Sequence, residues 1–169
     1  LMGTFIDNHD VPRFVNRLDE PVRRLEQALA VAMTYTGIPV VYYGTEIALP
    51  GGNDPDNRRD MVFEENDVTE TLRRLTKIRK QNAELVYGDI DLIGLGAYGF
   101  AYQRTYEGSS TVLLLNLGDE TREFSFVLPY ASAFSSFEDL YDPSVKGVVN
   151  NGSVTITTAP KSFYILKLQ

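Results

Sequence analysis

The chain has 169 residues, of which 43% are apolar and 23% charged, with a net charge of −7 and no cysteine. That mix can bury a core and argues against disorder. The missing cysteines exclude disulfides, thiol catalysis and zinc–thiolate sites. The acidic balance argues against nucleic acid and against anionic membrane surfaces, both of which need Lys/Arg patches, and no apolar run approaches the ~18 residues of a spanning helix.

The chain opens at Leu1-Met2-Gly3-Thr4-Phe5-Ile6, already inside a strand-like run, so further residues are expected upstream. Thr4-Phe5-Ile6 reads as a short strand that ends at the polar run Asp7-Asn8-His9-Asp10. Pro21 suits the first turn of a helix. Val22, Leu25, Leu29, Ala32 and Met33 then repeat at helical spacing, and Gly37 is placed to end the element. Ile38-Pro39-Val40-Val41-Tyr42-Tyr43 is a continuous apolar run of the kind found in strands buried on both faces of a parallel sheet. A long polar loop follows, residues 44 to 63, and loops of that length in compact domains are often functional. A second helix is expected from Asn66 or Asp67, with Val68, Leu72, Leu75 and Ile78 on its apolar face and Lys77, Arg79 and Lys80 near its C-terminal end.

Beyond this point only strand signals occur. The expected strands are 89–93, 98–105, 111–117, 122–128, 137–140, 153–157 and 162–168. Turn signals at Glu107-Gly108-Ser109-Ser110, Gly118-Asp119-Glu120 and Asn150-Asn151-Gly152 separate them. Two regions are therefore expected. Residues 1–85 alternate strand and helix, and residues 86–169 form an antiparallel sandwich or barrel. Two parallel β/α units cannot close a sheet alone, so the first region either belongs to something larger or borrows strands.

Three polar clusters could carry chemistry. Asp7-Asn8-His9-Asp10 combines two carboxylates with the chain's single histidine at a strand end. A carboxylate there can stabilise an oxocarbenium-like transition state, and an imidazole can hold a sugar hydroxyl. Side chains of this type also cap local backbone, and both readings stand on local pattern. Asn53-Asp54-Pro55-Asp56-Asn57-Arg58-Arg59 could grip sugar hydroxyls or could be a solvated turn with internal ion pairs. Glu46 reads better as a paired structural carboxylate than as a site residue. Tyr98, Phe100 and Tyr102 alternate on one strand face and read as core packing, without a clear exposed aromatic platform.

Taken together, Phe5-Ile6-Asp7-Asn8-His9-Asp10, Gly37-Ile38-Pro39-Val40-Val41-Tyr42-Tyr43-Gly44-Thr45-Glu46 and the Asp54/Arg58 pair resemble the α-amylase family of glycoside hydrolases. The first run matches the family's Phe-x-x-x-His-Asp motif at the seventh strand of its barrel. The second matches a Gly-x-Pro-x-x-x-Tyr-Gly-x-Glu pattern at the eighth. The loop Gly-Gly-Asn-Asp-Pro-Asp-Asn-Arg-Arg is similar to neopullulanases and maltogenic amylases. The resemblance implies the last two β/α units of a (β/α)8 barrel, followed by an antiparallel Greek-key β-sandwich. It implies that Asp10 is the family's third carboxylate, which stabilises the transition state. His9 would bind the same sugar ring, and Asp54 and Arg58 would line donor-side subsites. The implied partners are an α-glucan and an N-terminal part of the barrel.

The family's nucleophilic Asp and acid Glu lie on the fourth and fifth strands, before the residues present here, and the chain alone is expected to be inactive. No cofactor is expected within this chain, and calcium is expected only in a longer parent. The alternative is a non-catalytic carbohydrate-binding or barrel-stabilising module.

Overall fold

A computed structural model describes residues 2–17, 21–129 and 133–169, so Leu1, at the head of the expected first strand run, lies outside the described residues. The chain divides into two compact units, Leu1–Lys77 and Ile78–Gln169.

In the first unit, β1 (Gly3–Thr4) leads through α1 (Pro21–Thr34) to β2 (Ile38–Pro39), which lies parallel to β1 with Gly3 opposite Ile38. A crossover helix between parallel neighbours is the βαβ unit that the sequence pattern suggests. In α1, Leu25, Leu29, Ala32 and Met33 are buried, and Val22 at the outer end of the stripe is exposed. Gly37 follows with φ of +102°, and a side chain there would meet the Met2 carbonyl. Glycine alone tolerates that turn.

The apolar run after Gly37 differs from the expectation of a strand buried on both faces. Ladder pairing covers only Ile38–Pro39, and Ile38, Val40, Val41 and Tyr43 remain exposed. A parallel strand acquires two covered faces only from further strands and helices, and here β2 has β1 as its neighbour.

α2 (Asp67–Gln81) starts at a reciprocal cap. Asn66 Oδ1 accepts from the Val68 and Thr69 backbone N–H groups, and Thr69 Oγ1 accepts from the Asn66 N–H. Val68 and Leu75 are buried, and Thr71 Oγ1 donates to Glu26 on α1 at 2.7 Å.

In the second unit, the short helix α3 (Ala83–Tyr87) precedes β3 (Asp89–Leu95), β4 (Gly99–Tyr106), β5 (Ser109–Asn116), β6 (Arg122–Val127), β7 (Ser136–Asp139), β8 (Lys146–Val148), β9 (Ser153–Thr158) and β10 (Ser162–Leu168). Six strands form an antiparallel sheet in the order β3-β4-β5-β10-β7-β8, and β6 pairs with β9 in a second sheet. Ala101, Val112, Leu114, Leu166 and Leu168 from the large sheet form one core with Phe126, Val154 and Ile156 from the small one. The strict alternation of β9, buried at Val154, Ile156 and Thr158, is the period-2 pattern of a half-buried strand. The β4–β5 hairpin turn places both central residues, Glu107-Gly108, at positive φ, as the twist of its strands requires, and the Asn151-Gly152 turn, closed by the Asn150–Ser153 bridge, has both residues at positive φ as well.

β8 and α3 are among the elements that the sequence pattern does not announce. β8 is three residues long, and α3 is too short to show a helical period. α3 is held by charge. Arg104 donates to the Leu85, Gly88 and Asp89 carbonyls, and Arg79 donates to the Leu85 carbonyl at 2.7 Å. These bonds satisfy carbonyls that a helix end leaves free.

Candidate functional site

The polar run after β1 splits into two roles. Asp7 is buried, with Oδ1 accepting from Thr45 Oγ1 at 2.7 Å and Oδ2 accepting from the Phe14 N–H at 3.0 Å. Asn8 Oδ1 accepts from the Asp10 N–H at 2.8 Å, a local turn. Capping is thus what these two side chains do. His9 and Asp10 point to solvent, with His9 Nε2 3.3 Å from Asp10 Oδ1. Buried anchors on one side and an exposed carboxylate–imidazole pair on the other make a surface that can grip hydroxyl groups.

The loop after β2 lies against this pair. Arg58 Nε is 3.1 Å from Asp54 Oδ1 and donates to the His9 carbonyl, also at 3.1 Å. Asn57 is buried, and its Nδ2 donates to the carbonyls of His9 at 2.8 Å and Val11 at 3.0 Å. The expected site residues His9, Asp10, Asp54 and Arg58 are therefore gathered in one cluster, with their side chains largely exposed. Neighbouring bonds stiffen the loop. Gly52 N–H donates to Asp56 Oδ2, and Arg59 pairs with Asp56 Oδ1 at 2.6 Å. The Arg59 bond, followed by the Gly52 N–H, holds the Asp56 carboxyl below its usual range.

Arg13 was not singled out by the sequence, although it is the lone charge in Val11-Pro12-Arg13-Phe14. It is among the largest fully buried side chains, 1% exposed. Its Nε donates to the Asn57 carbonyl at 2.9 Å, its Nη1 to the Tyr43 carbonyl at 2.6 Å, and its backbone N–H to the Gly51 carbonyl at 2.9 Å. Its guanidinium lies 4.0 Å from the Tyr42 ring centre and 4.8 Å from that of Tyr43, within cation–π range. A side chain on Gly51 would meet the Asp56 carbonyl at 2.7 Å, so only glycine lets the loop approach this closely.

Glu46 contributes its backbone carbonyl to Thr69 Oγ1, and its Oε2 is buried without a hydrogen-bond partner among the described residues. Among the described residues, no group of three or more His, Asp or Glu is placed to hold a metal ion.

A cavity of about 590 Å³ lies in the second unit and contains none of these four residues. It lies beside the β3–β4 hairpin and β6, and Tyr98 on its wall corrects the reading of the Tyr98, Phe100 and Tyr102 series as core. Tyr102 is buried, but Tyr98 is 51% exposed, with the Arg122 guanidinium 4.1 Å from its ring centre. Tyr98 lies one residue before β4, outside the strand whose residues Ala101 to Arg104 are buried in succession.

Residues 1–73 match the family of alpha-amylase catalytic domains. The chain is similar to a cyclomaltodextrinase of Thermoanaerobacter pseudethanolicus, 32% identical over 99% of this chain and 28% of that protein. It is also similar to a cyclomaltodextrin glucanotransferase of Niallia circulans, 35% identical over 91% of this chain and 21% of that protein. Among solved structures, an Anoxybacillus alpha-amylase superposes with a TM-score of 0.91 at 33% identity, over 99% of this chain and 38% of that one. The alpha-amylase of Geobacillus thermoleovorans, solved with acarbose, superposes with a TM-score of 0.90 at 29% identity, over 100% of this chain and 39% of that one. The chain thus spans under two fifths of these relatives. Such neighbours imply a C-terminal barrel portion followed by a β domain. Residues 1–73 thus carry an α-amylase-family match, and relatives named for enzymes of that family align over nearly the whole chain.

Proposed function

We propose that this chain is part of an enzyme that cleaves, or transfers across, the α-1,4-glucosidic bonds of starch-like glucans with retention of configuration. Residues 1–85 form the last two units of its barrel, and residues 86–169, which follow in the chain, form a Greek-key β-sandwich. Asp10 stabilises the oxocarbenium-like transition state, and His9 hydrogen-bonds the same sugar ring. Asp54 and Arg58 bind sugars on the donor side of the scissile bond. The nucleophile and the acid/base come from upstream strands, so the 169-residue chain alone is inert.

The observation that carries this reading is the cluster itself. An exposed His9/Asp10 pair and an exposed Asp54/Arg58 pair are joined by the bond from Arg58 Nε to the His9 carbonyl. Four side chains that offer carboxylate, imidazole and guanidinium groups to solvent suit a polyhydroxylated neutral ligand.

Release of reducing sugar from soluble starch by the full gene product tests the reading. The wild type is expected to be active, and Asp10→Asn is expected to lose about 10³-fold or more in kcat. NMR of the first product formed would show the α-anomer under retention. A folded, inert full-length protein, or an Asp10→Asn variant of wild-type rate, would overturn the assignment.

A further inference from the structure

We infer that Arg13 is a positioning residue for the proposed reaction, setting the distance between the His9/Asp10 segment and the Asp54/Arg58 loop without touching substrate. The inference rests on the glucan reading above.

Two segments distant in sequence carry the candidate site, and something must fix their separation. Among the described residues no ion pair joins the two pairs; His9 is paired with Asp10, and Arg58 with Asp54. Arg58 reaches across only to the His9 backbone, from a half-exposed side chain. The buried connection runs through Arg13. Its Nε holds the carbonyl of Asn57, the residue before Arg58. Asn57 in turn donates to the carbonyls of His9 and Val11, on either side of Asp10. Arg13 itself stands three residues after Asp10, and its backbone N–H holds Gly51, at the head of the loop. Nη1 ties the same guanidinium to the end of the apolar run at Tyr43, while Tyr42 covers its face. One rigid planar group, carried three residues after Asp10, thus holds the loop at Asn57 and the end of the apolar run at Tyr43.

Lysine cannot replace this fork. A single ammonium can lie between two carbonyls, but it lacks the fixed angle between Nε and Nη1 and stacks less well on a ring. A shift of about 1 Å in a group far from the chemistry costs up to about a hundredfold in rate.

The test uses the full-length enzyme with Arg13→Lys, Arg58→Ala and the double variant, with kcat and KM measured on a soluble glucan and melting followed in parallel. The expected result is a folded Arg13→Lys protein with kcat/KM lowered about tenfold to a hundredfold. Its backbone amides from Gly51 to Arg59 should exchange faster while those of α1 stay protected. Arg58→Ala should cost much less in the Arg13→Lys background than in the wild type, because the loop is already misplaced. Should lysine prevent folding, Arg13→Gln, which keeps one donor group, carries the same readouts. Wild-type kcat/KM in the folded variant, or fully additive losses, would overturn the positioning role. An inert wild type would instead overturn the glucan reading on which it rests.

Discussion

Asp139 shows how one buried side chain sets a pH dependence. It is 1% exposed, and its Oδ1 accepts from the Ile165 and Tyr141 N–H groups at 2.9 and 3.0 Å. Burial outweighs those bonds and pushes the carboxyl up to about 6. In an unfolded chain it would titrate near ~3.9, so between these values the folded chain binds more protons than the unfolded one. Its contribution to stability is fully present below pH ~4 and is lost as pH rises through about 6. Urea unfolding should therefore show a fall of about 2 kcal/mol across that window. Asp139→Asn should flatten the fall, and an unaltered slope in the variant would disprove the attribution.

Glu84 acts in the opposite sense. Burial works to raise its carboxyl, but hydrogen bonds from Lys167 and Thr111 outweigh burial and hold it below the usual range. Its contribution is lost only as pH falls through that lowered value, so the two effects are separable. Neither group was legible in the sequence, because Asp139 and Glu84 are ordinary acidic letters until distant strands enclose them.

Among elements, α3 and the edges of the sheets show what periodicity misses. Five residues carry too little pattern to announce a helix, and isolated helices this short are not stable in water. α3 forms because Arg104 reaches its C-terminal carbonyls from β4. Arg104→Met should cost about 3 kcal/mol, since Gly88 and Leu85 lose a charged donor in a buried setting. Amide exchange in residues 83–88 should accelerate well beyond the change at the centre of β5. Equal acceleration at both places would mean that Arg104 supports the whole unit rather than this helix. Longer elements were readable, because Leu25 and Leu29 in α1, and Leu75 and Ile78 in α2, stand at helical spacing and Val154 and Ile156 at strand spacing.

For the whole chain, apolar side chains gather on the β1–β2 pair without a cover among the described residues. Met2 is 82% exposed, and Phe5, Ile38 and Val40 each exceed half. Contiguous apolar surface of this kind marks an interaction face. The 169-residue chain on its own should bind a dye such as ANS and self-associate with rising concentration in light scattering, and Val40→Thr with Ile38→Thr should reduce both. A monodisperse, dye-negative chain at high concentration would contradict this. Phe63, 91% exposed in the long loop, adds to the same expectation.

The sequence by itself determined the types and order of the longer elements and the position of the polar motifs, because these depend on local spacing. Alternation fixes a strand face, a 3.6-residue repeat fixes a helix face, and Gly37 and Asn151-Gly152 mark turns that other residues strain to make. The letters His9, Asp10, Asp54 and Arg58 were legible as candidates for the same reason. Only the tertiary structure decided that Asp7 is buried against Thr45 while His9 and Asp10 face solvent. It alone revealed that Arg13 is the buried link between the two segments, and that Tyr98 stands outside the core. Those outcomes depend on residues some thirty to fifty positions apart in the chain meeting within hydrogen-bond distance. No local spacing encodes such meetings.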